Sequence, residues 1–191
     1  MDEIVDYIFE LGVMKRRHIA GFDHFMSQSS STLASHSQRA ALIGMILADL
    51  EGADIQKVAT MLLIHEIGEV RVGDTDNVAG RYRDPADAEH HAVADQNRKL
   101  PARLGQLLTG LYLELENGET LEARVAKDAD LLEHAFSAKE YLDQGIQGRR
   151  AWLRNDDYLQ TESGKQVSQK LRNSDSNAWW IHLNSMSAVV E

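Results

Sequence analysis

Three residues with the potential for chemistry lie close together in an otherwise largely apolar segment, residues 63–70. In a helix, His65 and Glu69 share a face, with Cβ atoms about 6 Å apart, and therefore address the same volume. Glu66 points about 100° away, yet it can converge with His65 on a ligand beside the helix. Charged groups in a buried helix are costly unless they are paired or bound to metal. Alternatively, both glutamates face solvent and His65 is simply a hydrogen-bonded helix histidine.

Two more polar residues interrupt predicted apolar helical faces. His36 lies at the start of one helical segment, and Asp130 lies inside another, residues 126–132. Each has a simpler interpretation, with His36 as a polar group at a helix N-terminus and Asp130 as an ion-pair partner of Lys127 or Arg124. The ordered set of imidazoles and carboxylates on separate helices is harder to obtain by chance, and it indicates a metal site.

Composition limits what such a site can contain. The 191 residues hold no cysteine and 8 histidines, so disulfides, thiolate ligands and a cysteine nucleophile are excluded. The formal net charge of −10 argues against sequence-independent nucleic-acid binding. Neither the H-E-x-x-H signature nor a G-x-x-x-x-G-K loop occurs. A metal site must therefore use His, Asp and Glu.

Helical periodicity runs through the chain, and only two prolines interrupt it. The pattern predicts an all-α, compact multi-helix bundle. The predicted helices cover residues 2–16, 32–50, 54–70, 86–99, 101–115, 120–144 and 165–185, with a loop over 75–87. In the first helix, Ile4, Ile8, Leu11 and Met14 form the expected buried face. Trp179 and Trp180 are expected to pack the last helix onto the bundle or a second subunit.

The N-terminal residues lack a signal-peptide pattern, and no apolar run approaches the ~18 residues of a membrane span. We therefore expect a cytoplasmic protein with no membrane partner.

The ordered residues His36, His65-Glu66 and Asp130 resemble the H…HD…D pattern of the HD-domain metal-dependent phosphohydrolases. Residues 63–74 are similar to the H-D-x-x-E-x-x-x-G-D segment of the 5′-deoxynucleotidase-like branch. Residues 111–116 and 120–124 resemble its L-W-x-E-[YF]-E…T-x-E-A-[KR] stretch, and residues 14–22 loosely resemble its L-K-x-x-x-R-x-G-W motif. The resemblance covers about residues 4–145.

The resemblance implies a single HD-type domain over residues 1–191, with a C-terminal helical extension over 146–191. It implies that the chain releases phosphate from a small phosphorylated metabolite, a (deoxy)nucleoside 5′-monophosphate, as a homodimer. Glu69 is assigned to catalysis and Asp74 to the nucleotide sugar. A divalent ion, Mn²⁺, Co²⁺ or Mg²⁺, suits the implied ligands, which are His36, His65, Glu66 and Asp130.

Several residues depart from the family pattern. The doublet is His-Glu rather than His-Asp, and the longer side chain of Glu66 leaves metal affinity open. Ile19 stands where the family has a phosphate-binding Arg, so Arg16, Arg17 or Lys15 would have to substitute. The departures keep two alternatives open: a catalytically drifted HD-type protein that binds a nucleotide or protein partner, and a phosphodiesterase or guanosine-tetraphosphate hydrolase.

Four further residues receive weaker assignments. His90 and His91 follow Glu89 on a polar helix, and the three are expected at the surface rather than at a second site. Asp128 lies two positions from Asp130, faces elsewhere, and is assigned to a supporting or surface position.

Overall fold

The computed structural model describes residues 1–24, 31–146, 153, 157–181 and 183. These residues form helices, and the only β structure among them is an isolated bridge between His18 and Thr32. The predicted all-α class is confirmed. The helices are α1 Asp2–Leu11, α2 Leu33–Glu51, α3 Ile55–Ile64, α4 Glu69–Val72, α5 Ala86–Asn97, α6 Ala102–Asn117, α7 Leu121–Asp143, α8 Glu162–Leu171 and α9 Ala178–Ile181. Short 3₁₀ turns lie at Gly12–Lys15, Ala20–Phe22 and Ala79–Arg81.

Side-chain caps set the starts of four helices, and three of these caps, on α2, α3 and α7, lie where the sequence predicts a helix start. Thr32 caps α2 by accepting from the Ser35 backbone N–H at 3.3 Å. The carboxylate of Asp54 caps α3, and the hydroxyl of Thr120 caps α7. Each cap satisfies backbone donors that have no partner inside the helix, which is worth about 1 kcal/mol. The starts predicted for these helices are confirmed.

The predicted continuous helix over residues 54–70 is wrong. It ends at Ile64, residues 65–68 form a turn, and α4 starts at Glu69. Gly68 lies in this turn against α5, where an added Cβ would stand 3.1 Å from the Glu89 carbonyl oxygen. Because α5 packs this closely, its backbone occupies space that a larger residue would need. His65 and Glu66 therefore lie in the turn after α3, and Glu69 is the first residue of α4.

The first and last predicted helices are also shorter than expected. Helix α1 ends at Leu11 and continues as a 3₁₀ turn, and Ile8 is 62% exposed while Tyr7 is buried. The segment predicted as one last helix contains most of α8 and then the separate α9. Within α9, Trp179 and Trp180 are 74% and 41% exposed, so they do not pack into the described bundle. Residues 182, 184 and 185 lie outside the described residues.

Helix α2 packs against both α3 and α7, and α8 contacts α7 and α2. Gly44 permits the close approach of α3, since a Cβ there would overlap the Leu62 side chain and stand 2.9 Å from Val58 Cγ1. None of the helices in the described ranges is long and apolar enough to cross a membrane. The core is built from apolar side chains of several helices, among them Leu33, Leu47, Val58, Met61, Leu62, Ile67, Val93, Leu111, Val125 and Leu132.

Candidate functional site

Four side chains from three helical regions meet at one point. His36 comes from the first turns of α2, His65 and Glu66 from the turn that follows α3, and Asp130 from the middle of α7. His36 Nε2 lies 3.2 Å from His65 Nε2 and 3.0 Å from Asp130 Oδ1. Glu66 Oε1 is 3.1 Å from His65 Nε2 and 3.5 Å from His36 Nε2. The four residues assigned as ligands through the family resemblance therefore form one cluster, called here the donor cluster.

Hydrogen bonds on the far side of each imidazole orient the two histidines. His36 Nδ1 lies 2.6 Å from Glu133 Oε2, and His65 Nδ1 lies 2.7 Å from the Leu62 carbonyl oxygen. Both partners are acceptors, because a carbonyl has no proton and Glu133 is ionised. Burial opposes ionisation of Glu133, but the bond from His36 and the charge of Arg39 lower its pKa to about 2. Each Nδ1 is thus the donor, and each Nε2 directs its lone pair into the cluster.

The donor cluster fits a divalent cation. Octahedral ligands about 2.1 Å from an ion stand roughly 3.0 Å apart when adjacent, which is close to the observed donor spacings. Asp130 Oδ1 is buried, and it has no hydrogen-bond donor when the two Nε2 atoms carry no proton. Without a cation, burial opposes protonation of His36, but hydrogen bonds to Asp130 and Glu133 raise its pKa to about 9. A proton and a cation therefore compete for the same lone pair.

A cavity of about 510 Å³ opens on one side of the donor cluster. This front cavity is large enough for a small ligand. Its wall combines the carboxylates of the cluster with a polar loop and a few apolar side chains. The lining residues are Ile19, Gly21, Glu66, Asp74, Thr75, Asp76, Asn77, Asp130, Leu131, His134 and Tyr158.

A smaller cavity of about 190 Å³ lies on the other side, and Glu66 and Asp130 line both. This rear cavity is lined by Leu62, His65, Glu66, Glu69, Glu89, Tyr112, Leu115, Glu116, Ala126, Lys127 and Asp130. Glu69 faces it with an Oε2 atom that is buried and has no hydrogen-bond partner. Burial, followed by the charges of Glu66 and Asp74, raises the pKa of Glu69 to about 11. This excess of carboxylates is the electrostatic setting in which a cation is stabilised.

Asp74 stands on the wall of the front cavity, beyond the Gly73 turn that ends α4. Its Oδ2 accepts a hydrogen bond from the Ala20 backbone N–H at 2.6 Å. Burial, with the charge of Glu66 adding to it, raises the pKa of the Asp74 carboxyl. The residue assigned to the substrate sugar therefore lies beside the donor cluster, with one oxygen already engaged.

The structure does not bring the basic residues near the N-terminus into the site. Arg17 donates from Nη2 to the Val70 carbonyl oxygen at 3.1 Å, while Arg16 and Lys15 are exposed. In the part of the chain that the structure describes, no Lys or Arg lines the front cavity. The expectation that one of them replaces the family's phosphate-binding Arg stays a prediction. In this structure Ile19 lies on the cavity wall, and Arg17 is held at the end of α4.

Sequence reasoning missed two neighbours of Asp130 on α7. Glu133 is almost fully buried behind His36 and is held by Arg39 Nε and Nη2 at 3.0 and 2.7 Å. His134 stacks on His36, with ring centroids 4.5 Å apart, and its Nε2 lies 3.6 Å from Asp130 Oδ1. Their spacing of three and four residues from Asp130 places them on its helix face, and that signal could have identified them.

The surface position expected for Glu89 is corrected, and of the two positions given for Asp128 the structure shows the supporting one. Asp128 is fully buried and accepts hydrogen bonds from the segment that precedes α8, so it supports the fold rather than facing solvent. Glu89 lines the rear cavity, where burial and the charges of Glu66 and Glu116 raise its pKa to about 7. His91 is exposed as expected, but His90 is half-buried with its ring edge-on to Tyr112. The positions of Glu89 and His90 follow from the packing of α5 on α6, which the sequence pattern does not show.

The chain is similar to known proteins in sequence and in fold. The model of the HD domain family matches residues 14–172. The 5′-deoxynucleotidase HDDC2 of Dictyostelium discoideum is 26% identical over 152 residues, which are 75% of this chain and 80% of that protein. A conserved hypothetical protein from Pyrococcus furiosus superposes with a TM-score of 0.77 at 24% identity, covering 89% of this chain and 99% of the other. A predicted metal-dependent phosphohydrolase from Magnetospirillum magnetotacticum MS-1 gives 0.70 at 24% identity, covering 89% and 92%. The two structural similarities show a shared fold.

Proposed function

We infer that this chain, which belongs to the HD domain family, is a metal-dependent phosphohydrolase that releases phosphate from a (deoxy)nucleoside 5′-monophosphate. The observation that carries the proposal is the donor cluster, whose two imidazoles and two carboxylates converge at the wall of a 510 Å³ cavity. The similarity to 5′-deoxynucleotidase HDDC2 supports the substrate class.

His36, His65, Glu66 and Asp130 would hold the divalent ion. When bound, the ion supplies positive charge that polarises a phosphoryl oxygen and lowers the pKa of a nearby water. The charge of the bound ion would lower the pKa of Glu69, and its carboxylate would then orient the attacking water and accept its proton, a contribution of typically ~10²–10⁴-fold in rate. Asp74 would accept a hydrogen bond from a sugar hydroxyl through the oxygen that Ala20 does not occupy.

Neutralisation of the substrate phosphate falls to the cation in this proposal. Arg16 and Arg17 are left out of the phosphate site, because neither lines the front cavity. Mn²⁺, Co²⁺ and Mg²⁺ are the proposed ions, since they suit mixed imidazole and carboxylate donors. We further propose a cytoplasmic homodimer in which residues 1–191 form one domain.

The proposal is tested by metal analysis of the purified protein and a phosphate-release screen. The screen covers nucleoside and deoxynucleoside 5′-monophosphates with each of the three ions, and it includes cyclic dinucleotides and guanosine tetraphosphate. We expect stoichiometric metal and ion-dependent release from the monophosphates. Turnover of the diesters or the tetraphosphate alone would overturn the substrate assignment.

A second candidate, a nucleotide-binding protein without catalysis, is favoured by one observation. No Lys or Arg side chain among the described residues lines the front cavity, where Ile19 occupies the family's arginine position. Stoichiometric metal and nucleotide binding, with no phosphate release from any substrate of the screen, would support this candidate over the enzyme.

A further inference from the structure

Tyr158 lies on the wall of the front cavity although it comes from the C-terminal part of the chain. It is 70% exposed, whereas the next residue, Leu159, is buried in the core. Leu159 thus anchors the backbone next to Tyr158, and the ring of Tyr158 itself remains largely exposed to solvent. Such a ring, presented at the mouth of a cavity, offers a flat apolar face to a ligand.

Asp128 fixes the segment that carries this ring. Its carboxylate accepts from the Gln160 and Thr161 backbone N–H groups at 2.8 and 2.7 Å and from Thr161 Oγ1 at 2.6 Å. A Cβ at Gly164 would stand 2.6 Å from Asp128 Oδ2, so the first turn of α8 fits tightly over the carboxylate. Asp128 lies two residues from Asp130 on α7, and the same helix therefore carries both one member of the donor cluster and the anchor for the segment of Tyr158.

The rest of the cavity wall combines polar and apolar groups. Asp74, Thr75, Asp76 and Asn77 place hydrogen-bonding groups along one loop, and Ile19 and Leu131 add apolar surface. Among the described lining residues, Tyr158 is the only aromatic ring apart from the imidazole of His134. A ligand anchored by its phosphate at the donor cluster can extend an aromatic group towards Tyr158.

We propose that Tyr158 is a specificity-determining residue that stacks on the base of the bound nucleotide, with Asp128 as the positioning residue that holds it there. This inference rests on the proposed function, because it assumes that the front cavity receives a nucleoside monophosphate. Stacking of a base on an aromatic side chain is worth roughly 5- to 100-fold in binding and tolerates different bases. The C-terminal extension would then contribute binding of the base, while the helices before it contribute the chemistry.

The test compares a substrate that has a base with one that lacks it. The substrates are 2′-deoxyadenosine 5′-monophosphate and 2-deoxyribose 5-phosphate, assayed with Mn²⁺ on the full chain. For Tyr158→Ala we expect KM for the nucleotide to rise about 5- to 100-fold, with kcat unchanged and no effect on the base-free substrate. Tyr158→Phe should behave as the parent. Tyr82→Ala, at an 85% exposed tyrosine outside both cavities, is the matched control.

Asp128→Asn tests the positioning role. An amide offers one acceptor where the carboxylate offers two, so the segment before α8 should loosen. We expect the same selective rise in KM for the nucleotide, and no further rise when Tyr158→Ala is added, because both changes remove one interaction. A purely structural role would instead lower turnover of both substrates and the melting temperature together.

Equal effects of Tyr158→Ala on both substrates, or no effect on either, would overturn the inference. If the parent binds nucleotide without releasing phosphate, the proposed function fails separately. The inference is then decided by calorimetric binding of the same two ligands to the parent and to Tyr158→Ala. A parent that neither binds nor hydrolyses nucleotides would overturn both.

Discussion

His36 donates its Nδ1 proton to Glu133 Oε2 over 2.6 Å, and the opposite ring nitrogen points into the donor cluster. Arg39 holds the other Glu133 oxygen, and Glu140 in turn accepts from Arg39 Nη1 at 2.7 Å. The orientation and tautomer of a candidate metal ligand are thereby set by a buried ion pair that does not line either cavity. Ser137 Oγ donates to the same Glu133 oxygen as Arg39.

The first prediction concerns Glu133→Gln. Whichever way the amide turns, its NH₂ group meets a donor of His36 or Arg39, so His36 loses its fixed orientation. Removal of such a support costs metal affinity, and we expect Mn²⁺ to bind about 10- to 100-fold more weakly by calorimetry. Glu140→Gln, at the outer end of the same arginine, is the control and should bind Mn²⁺ normally. Unchanged affinity in Glu133→Gln would contradict this support role.

The second prediction separates metal binding from turnover. Asp130→Ala removes a donor of the cluster and should abolish both bound metal and activity. Glu69→Ala leaves all four donors in place, so the protein should retain metal while kcat falls about 10²- to 10⁴-fold. Elemental analysis and phosphate release on the same samples measure both effects. Full activity in either variant would refute the role given to that residue.

The third prediction concerns the length of Glu66. Aspartate is shorter by one C–C bond, about 1.5 Å, and from this backbone position its oxygen would retreat from His65 and His36. We therefore expect Glu66→Asp to weaken Mn²⁺ binding by roughly tenfold, the lower end of losses seen when a metal site is disturbed. Calorimetric titration measures the effect. Tighter binding than in the parent would mean that this cluster is not built around the longer side chain.

The fourth prediction is a pH dependence of stability at the end of α1. Hydrogen bonding to Arg71, opposed by partial burial and helped by Lys99 and Gln96, lowers the pKa of Glu10 from 4.5 to about 2. Because the folded-state pKa lies below the unfolded one, the stabilisation is fully present above about pH 4.5 and is lost as the pH falls through about 2.

Glu10→Gln should therefore lower the free energy of unfolding by about 1–3 kcal/mol near pH 7. The deficit relative to the parent should shrink as the pH falls below about 4.5, and urea titrations across this range measure it. Glu3→Gln, at an exposed position of the same helix, is the control. A deficit that does not change with pH would show that packing, and not charge, holds Glu10.

The fifth prediction compares two helical glycines. A methyl group at Gly44 would overlap the Leu62 side chain of α3, whereas one at Gly110 would meet no atom within 4 Å. Gly44→Ala should cost about 1–3 kcal/mol through overpacking. Gly110→Ala should stabilise by about 0.5–1 kcal/mol, because alanine loses less backbone entropy in a helix. Thermal unfolding of both variants checks the pair, and equal shifts would contradict the packing described for α2 and α3.

Local signals predicted much of the fold. Thr32, Asp54 and Thr120 carry their capping oxygens at the residue where each helix starts, so their effect depends on near neighbours alone. The break after Ile64 has no such signal, because it depends on how closely α5 approaches Gly68. Contacts between residues far apart in the sequence decide such features, and the helical spacing of apolar residues cannot reveal them.

The same distinction holds for the site. His36, Glu66 and Asp130 interrupt apolar patterns, and that is why the sequence drew attention to them. Asp128 interrupts the pattern in the same way, but its partners lie more than thirty residues later, at Gln160 and Thr161. A carboxylate within an apolar helical pattern therefore indicates that the free-energy cost of burying its charge must be compensated. The pattern does not tell whether a cation or backbone N–H groups compensate it.

Glu66 and Asp130 form a partition with a compartment on each face. The rear compartment is lined by Glu116, whose side chain is 44% exposed, and by none of the loop residues 74–77 that line the front one. The path by which a small species such as water reaches Glu66 and Asp130 is thus separate from the path by which a large ligand enters. Water can still reach these two carboxylates through the rear compartment when a ligand fills the front one.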